Sequence, residues 1–293
     1  MEILLVKAVF TGLILGAVYG LIGCSLNLLY GVMRIVNFAH GEFIIAGAYF
    51  ALFALQGFGV PPLAAVPIGF VCFFAVGWAF YVLLMPRLSR SDDPESTSFL
   101  VMFGFSLMAT ALMLLFFEAD PRSLGFSFRP LALHLGPVVM PTSRLAVLGV
   151  TALIVALLSF GLYGTDHGRA LRAAMMNRDA IQIVGVDIHR LSAAACGIGM
   201  GLAGVTGILV SMVFPAFSPF VGADYTLIGF IVIVLGGLGN PVGGLLGGVL
   251  FGLTEQVASV YMSHSFALAI GFAMMVGIIV WRPQGLFAMR RPG

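Results

Sequence analysis

The sequence is 293 residues long, 60% hydrophobic and 9% charged, with a formal net charge of +2. A water-soluble domain carries about a quarter of its residues as charges; this composition, with a mean hydropathy of +1.10, excludes a soluble globular protein and marks an integral membrane protein. A spanning helix needs roughly 20 apolar residues, which leaves room for about eight to ten membrane segments.

The apolar runs are continuous rather than alternating, which fits helices and not barrel strands. A first span is expected over about 8–30. In it Gly12, Gly16 and Gly20 recur at every fourth residue, the spacing that lets two helices approach backbone to backbone. This run is too long for a cleavable leader and lacks a basic lead-in, so it reads as a permanent span. GVMRIVNFAHGE, residues 31–42, is polar but short. A second span is expected over about 43–57 and a third over about 63–85. Ser96 or Thr97 is expected to cap a fourth helix that reaches about residue 117.

Residues 118–144 form the longest non-membrane segment, and Pro121, Pro130, Pro137 and Pro141 predict a loop or hairpin at one surface. A fifth span, about 145–163, leads into GTDHGRALRAAMMNRDAIQIVGVDIHR, residues 164–190, the only long polar interruption. There Ala170, Leu171, Ala174 and Met175 recur at helical spacing and predict a short helix with one apolar face. Asp179, Ala180, Ile183 and Val184 predict a second piece, ended by Gly185. An amphipathic hairpin of this kind is either a spacer between spans or a docking element for a soluble partner, and spacing alone leaves both open. A sixth span is expected over about 191–213. Beyond Pro215 and Pro219, the apolar run of 225–260 is cut by Gly236, Gly237, Gly239, Asn240 and Pro241. Each half is short for a full span, so the run is a discontinuous helix, a re-entrant pair or a tight glycine turn. The last span is expected over about 266–281. The fold class is therefore an all-α polytopic bundle, one membrane domain over residues 1–293.

Arginine placement orients it. Putting 164–190 in the cytoplasm brings Arg87, Arg90, Arg282, Arg290 and Arg291 to the same side, and leaves the 118–144 loop outside with Arg122, Arg129 and Arg144.

Lys7 is the only lysine, so no Gly-Lys-Ser/Thr phosphate loop exists and the chain is expected to hold no nucleotide or other cofactor. Cys24, Cys72 and Cys196 stand singly in apolar runs and read as small core residues. No hydrolase pattern of Ser, His and Asp, or of paired zinc histidines, is evident, so an enzyme is not expected. Arg34, Asn37, His40 and Glu42 fall within nine residues; such groups at membrane depth line a path or pair with one another, and as a helix start they cap and bond locally. Glu255 and Gln256 either face the bundle interior or, the preferred reading, pair with another polar group.

Three stretches carry a resemblance: YGLIGCSLNLLYGVMRIVNFAHGEF (19–43), GRALRAAMMNRDAIQIVGVD (168–187) and VLGGLGNPVGGLLGGVLFGLTE (234–255). The chain resembles the LivH-type permease subunits of ABC importers for branched-chain amino acids. The resemblance implies that Gly168, Arg169, Arg172, Asp179, Gly185 and Asp187 belong to a loop coupling the permease to an ATPase. It also implies a second, LivM-like permease, two ATP-binding cassette ATPases that hold the ATP, an extracytoplasmic solute-binding protein and a bacterial inner membrane. Leucine, isoleucine and valine are the implied substrates; urea, short amides and other apolar amino acids use similar permeases. Asn37, His40, Glu42, Gly236, Gly237, Gly239, Asn240 and Glu255 are the candidates for the translocation path or its helix break. A self-sufficient channel or ion-coupled carrier is the rival, with Glu42 and Glu255 as its only intramembrane carboxylate candidates.

Overall fold

The computed structural model describes residues 2–88, 90–126, 128, 131–135 and 138–287. Its helices are α1 (Glu2–Met33), α2 (His40–Phe58), α3 (Pro62–Leu88), α4 (Pro94–Phe117), α5 (Thr142–Gly164), α6 (Asp166–Met176), α7 (Arg178–Ile183), α8 (Ile188–Val213), α9 (Gly222–Gly236), α10 (Pro241–Ala258) and α11 (His264–Trp281). Among the described residues seven helical stretches are long and apolar enough to cross a bilayer. A shorter apolar helix runs over Phe266–Trp281, and the protein is an all-α, multi-pass membrane bundle.

Hydrophobic burial does not distinguish a neighbouring helix from lipid, so close packing decides which helices pair. The expected glycine stripe on α1 meets a second stripe on α10, running antiparallel. A Cβ on Gly12 would lie 2.9 Å from the Gly252 carbonyl, one on Gly16 2.8 Å from Val249 Cα, and one on Gly20 2.9 Å from the Leu245 carbonyl. In the same way α2 and α8 touch at Gly47, Gly204 and Gly207, where no side chain fits. α8 is the central column, 89% buried over its apolar window, while α4 and α5 lie at the periphery at 11% and 17%. α3 runs antiparallel to α8, with Gly69 beside Ile208 and Gly77 beside Cys196.

Two helices begin inside the bundle rather than at its edge. His40, the first residue of α2, is level with Ser25 on α1, eight residues short of Met33, or about 12 Å at 1.5 Å per residue. The chain of 34–39 thus turns back from the end of α1 without helical structure. Likewise 214–221 leads inward from the end of α8 to α9, whose first residue, Gly222, packs on Glu42.

The cut at Gly236 folds into a tight turn: Gly237 and Gly239 have φ of 96° and 76°, values that favour glycine. α9 and α10 then lie antiparallel, with Gly236 against Gly243 and Gly247 against Val232. On the opposite end of the bundle, β1 (Ala132–Leu135) and β2 (Val138–Pro141) pair as an antiparallel hairpin.

Two expectations need correction. Asp93, not Ser96 or Thr97, caps α4: its carboxylate accepts from Ser96 N at 3.2 Å and Pro94 occupies the first turn, because a proline pre-set at the first helical position draws the start forward. Cys72 is exposed, since an apolar run alone does not separate a lipid-facing side from a core side. The second helical piece expected before Gly185 forms as α7; Ile181 in it is buried, while Ile183 at its end and Val184 just beyond are 88% and 80% exposed.

Candidate functional site

At the start of α2, a set of buried polar side chains ties four helices together. Asn37 Oδ1 accepts from Ala39 N at 3.0 Å, holding the turn into α2. His40 is fully buried and meets Ser25 Oγ on α1 at 2.9 Å. The Ser25 hydroxyl already donates to the Ile22 carbonyl, so the His40 ring donates through Nε2. Glu42 reaches the other way and accepts from Ser106 Oγ on α4 at 2.7 Å. Thr226 on α9 accepts from Gly41 N at 2.9 Å and lies 3.2 Å from the Phe38 carbonyl. His40 is not bonded locally as a simple helix start predicts, whereas the Glu42 carboxylate also accepts from its own backbone N–H; being two residues apart, the two side chains leave α2 on different faces. Glu42 lies in the first turn of α2 and against the first residue of α9, where the dipoles of both helices favour negative charge. Asn37 Nδ2 and His40 Nδ1 are buried with no hydrogen-bond partner among the described residues.

The Gly236–Asn240 turn is gripped by Asn27 of α1. Its Oδ1 accepts from Gly239 N and its Nδ2 donates to the Asn240 carbonyl, both at 2.9 Å. Asn240 Nδ2 donates in turn to Phe287 O at 2.7 Å, and Leu286 N donates to Leu235 O, so the segment after α11 closes over the turn. Glu255, 1% exposed, lies elsewhere: its carboxylate sits against the Tyr19 hydroxyl between α1 and α10.

The polar stretch 164–190 forms α6 and α7 at the end of the bundle where α1 stops. Thr165 caps α6 by accepting from Gly168 N at 3.0 Å. Gly168 has no room for a side chain, because a Cβ would lie 2.1 Å from the Gly161 carbonyl. Leu171, Ala174 and Met175 are buried, as their spacing predicts. Arg169 pairs with Asp166 at the surface, and the Arg172 guanidinium lies 4.2 Å above the Tyr163 ring. Gly185 turns with φ of 85°, and Asp187 caps α8 by accepting from His189 N and Arg190 N. The Asp179 side chain lies outside the described residues, as do Arg129, Arg290 and Arg291. Arg34 joins this element to the path candidates: its guanidinium donates to the Met175 carbonyl at 2.7 Å.

Sequence reading did not single out Ser25, Asn27, Ser106, Thr226 or the phenols Tyr19 and Tyr225. A polar side chain inside an apolar run is the one available signal, and their partners lie up to 213 positions away in sequence.

The family described as the permease component of branched-chain amino acid transport systems matches residues 8–279. The high-affinity branched-chain amino acid transport system permease protein BraD of Pseudomonas aeruginosa is 23% identical over 287 residues, covering 94% of this chain and 93% of that protein. The permease protein LivH of the same kind of system in Escherichia coli K12 is 26% identical, covering 96% of this chain and 94% of LivH. LivM of that organism is 25% identical, covering 94% of this chain and 69% of LivM. No solved structure matches the chain.

Proposed function

The chain belongs to the permease-component family of branched-chain amino acid transport systems, and from that premise we propose that it is the LivH-type membrane subunit of an ATP-driven importer of leucine, isoleucine and valine. It is a transport permease and not an enzyme. A LivM-like second permease completes the membrane part, two ATP-binding cassette subunits bind and hydrolyse the ATP, and an extracytoplasmic binding protein delivers the amino acid. The assembly sits in the bacterial inner membrane, with 164–190 in the cytoplasm and 118–144 outside.

The observation that carries this reading is the α6–α7 pair. Ile183 at its end and Val184 just beyond are almost fully exposed, an apolar tip available to a partner protein. Through Arg34 and Met175 the pair is joined to the 34–39 segment, and so to the start of α2. From the far end, Arg122 and Phe217 exchange two backbone hydrogen bonds of 2.9 Å, which ties the outer loop to the segment leading into α9. The two routes meet at Gly41, Glu42, Gly222 and Thr226. Force applied by the ATPases at one end and by the loaded binding protein at the other thus reaches the same helix starts, where Asn37, His40 and Glu42 line the path.

Arg172→Glu tests this. In proteoliposomes holding the complete system, the variant is expected to keep ATP hydrolysis within about twofold while amino-acid import falls tenfold or more, a loss of roughly 1.4 kcal/mol in coupling. Import at the wild-type rate refutes the docking role.

A further inference from the structure

Away from the polar set at α2, a groove of about 820 Å³ runs between α3 and α5, floored by α8 and by Leu28 of α1. α5 packs on α1, α6 and α8, and its flank toward α3 stays open. Leu28, Leu162, Leu171 and Leu202 are buried at the floor, while Leu153 and Leu157 of α5 and Val71 of α3 are 59%, 62% and 65% exposed at the rim. From Leu191 to Val205 the floor follows α8 for about 21 Å at 1.5 Å per residue. One leaflet of hydrocarbon is about 15 Å deep, so the groove spans a leaflet.

Polar side chains line it at one end only, Thr165 and His167. The Thr165 hydroxyl is committed, donating to the Gly161 carbonyl and accepting from Gly168 N; His167 is exposed. Residues 164–190 around them hold four arginines and three aspartates. Two of those aspartates pair with Arg169 and Arg190, while the Arg172 guanidinium lies on the Tyr163 ring. This end therefore carries surplus positive charge.

Water is excluded as the filling of the rest, since an ordered water needs two to four polar partners and the walls offer none. A helix of another subunit gains little there. Helices of this chain that meet closely do so on glycines, α1 with α10 and α2 with α8, because lipid serves branched apolar side chains as well as a neighbouring helix does. The groove is walled by leucine, isoleucine and valine. Of its two glycines, Gly168 is already against the Gly161 carbonyl, and Gly161 stands alone. A hydrocarbon chain conforms to such walls, and basic pockets between helices at the cytoplasmic surface take anionic head groups.

We propose that the groove between α3 and α5 binds an anionic phospholipid of the cytoplasmic leaflet, with one acyl chain along α8 and the phosphate at His167. The chain runs past Gly168 and Leu171 of α6, so the lipid braces the element proposed to dock the ATPase. The assignment rests on the proposed orientation for the choice of leaflet, and not on the substrate.

The test is native mass spectrometry of the complete permease–ATPase complex in detergent, titrated with phosphatidylglycerol and phosphatidylcholine of matched chains. Saturable binding of phosphatidylglycerol is expected, at least tenfold tighter than that of phosphatidylcholine. Ile198→Trp fills the groove from its floor and Leu157→Trp from its rim, and each is expected to weaken phosphatidylglycerol binding at least tenfold. Leu157→Trp, at an exposed position, carries the test if Ile198→Trp does not assemble. His167→Glu is expected to bring the two affinities within about twofold of each other. Binding without saturation, as bulk lipid gives, equal affinities in the wild type, unchanged binding by a filling variant that assembles, or an unaltered preference in His167→Glu overturns the site. So does absence of binding to the complete complex, the result expected if a second permease covers the groove. ATP-dependent uptake is measured alongside, so that the lipid site can fall while the transporter stands.

Discussion

Asn27 uses both ends of one amide to hold a turn more than 200 residues away in sequence: it accepts from Gly239 N and donates to the Asn240 carbonyl. Inside a bundle no water replaces such bonds, and each buried group left unpaired costs about 1–3 kcal/mol. Asn27→Ala is therefore expected to destabilise the detergent-held protein by about that amount per lost bond, read as a lowered midpoint of thermal unfolding. An unchanged midpoint refutes the clamp. Neighbouring Ser25 follows the same logic, with its proton on Ile22 and its lone pair turned to His40. Both residues stand in the apolar run of α1, where sequence marks them as out of place but does not say what they meet.

Among elements, the close pairing of α1 with α10 rests on absent side chains. Gly16→Leu must push its side chain into the backbone at Val249, and overpacking of this kind costs about 1–3 kcal/mol or more. The variant is expected to give a markedly lower yield of monodisperse protein by size exclusion. Gly149→Leu on the peripheral α5 has nothing within 4 Å of its would-be Cβ and is expected to match wild type; equal yields of the two variants refute the packing account. The α6–α7 pair behaves oppositely, since its tip contributes little to its own fold. The double variant Ile183→Asp, Val184→Asp is expected to leave folding intact and to cut co-purification of the ATPase subunits about tenfold, which corresponds to roughly 1.4 kcal/mol of contact. Undiminished co-purification assigns the docking surface elsewhere.

On the scale of the whole molecule, the two ends are distinguishable by what they carry. One end gathers the finish of α1, the α6–α7 pair, the 237–240 turn and residues 282–287, joined through Gly31, Met175 and Gly239. The other holds the β-hairpin and the Arg122–Phe217 bridge. Gln182→Cys and Asp120→Cys lie at exposed positions on opposite ends. In intact cells an impermeant maleimide is expected to label the second and not the first until the membrane is opened. Labelling of residue 182 from outside inverts the topology and removes the basis for the ATPase contact. Composition and hydrophobic periodicity by themselves determined that this is a helical membrane protein, where most spans fall, and that 164–190 is a separate amphipathic element, because those features depend on residues close together in the chain. The stripe of Gly12, Gly16 and Gly20 announced a close partner in the same way. Only the tertiary structure decided that the partner is α10, that α2 and α9 both start inside the bundle, that Ile183 and Val184 point outward, and that α3 and α5 leave an apolar groove between them. Those outcomes depend on contacts between distant segments; in a chain that is apolar nearly everywhere, one-dimensional pattern does not distinguish a face turned to lipid from one turned to another helix.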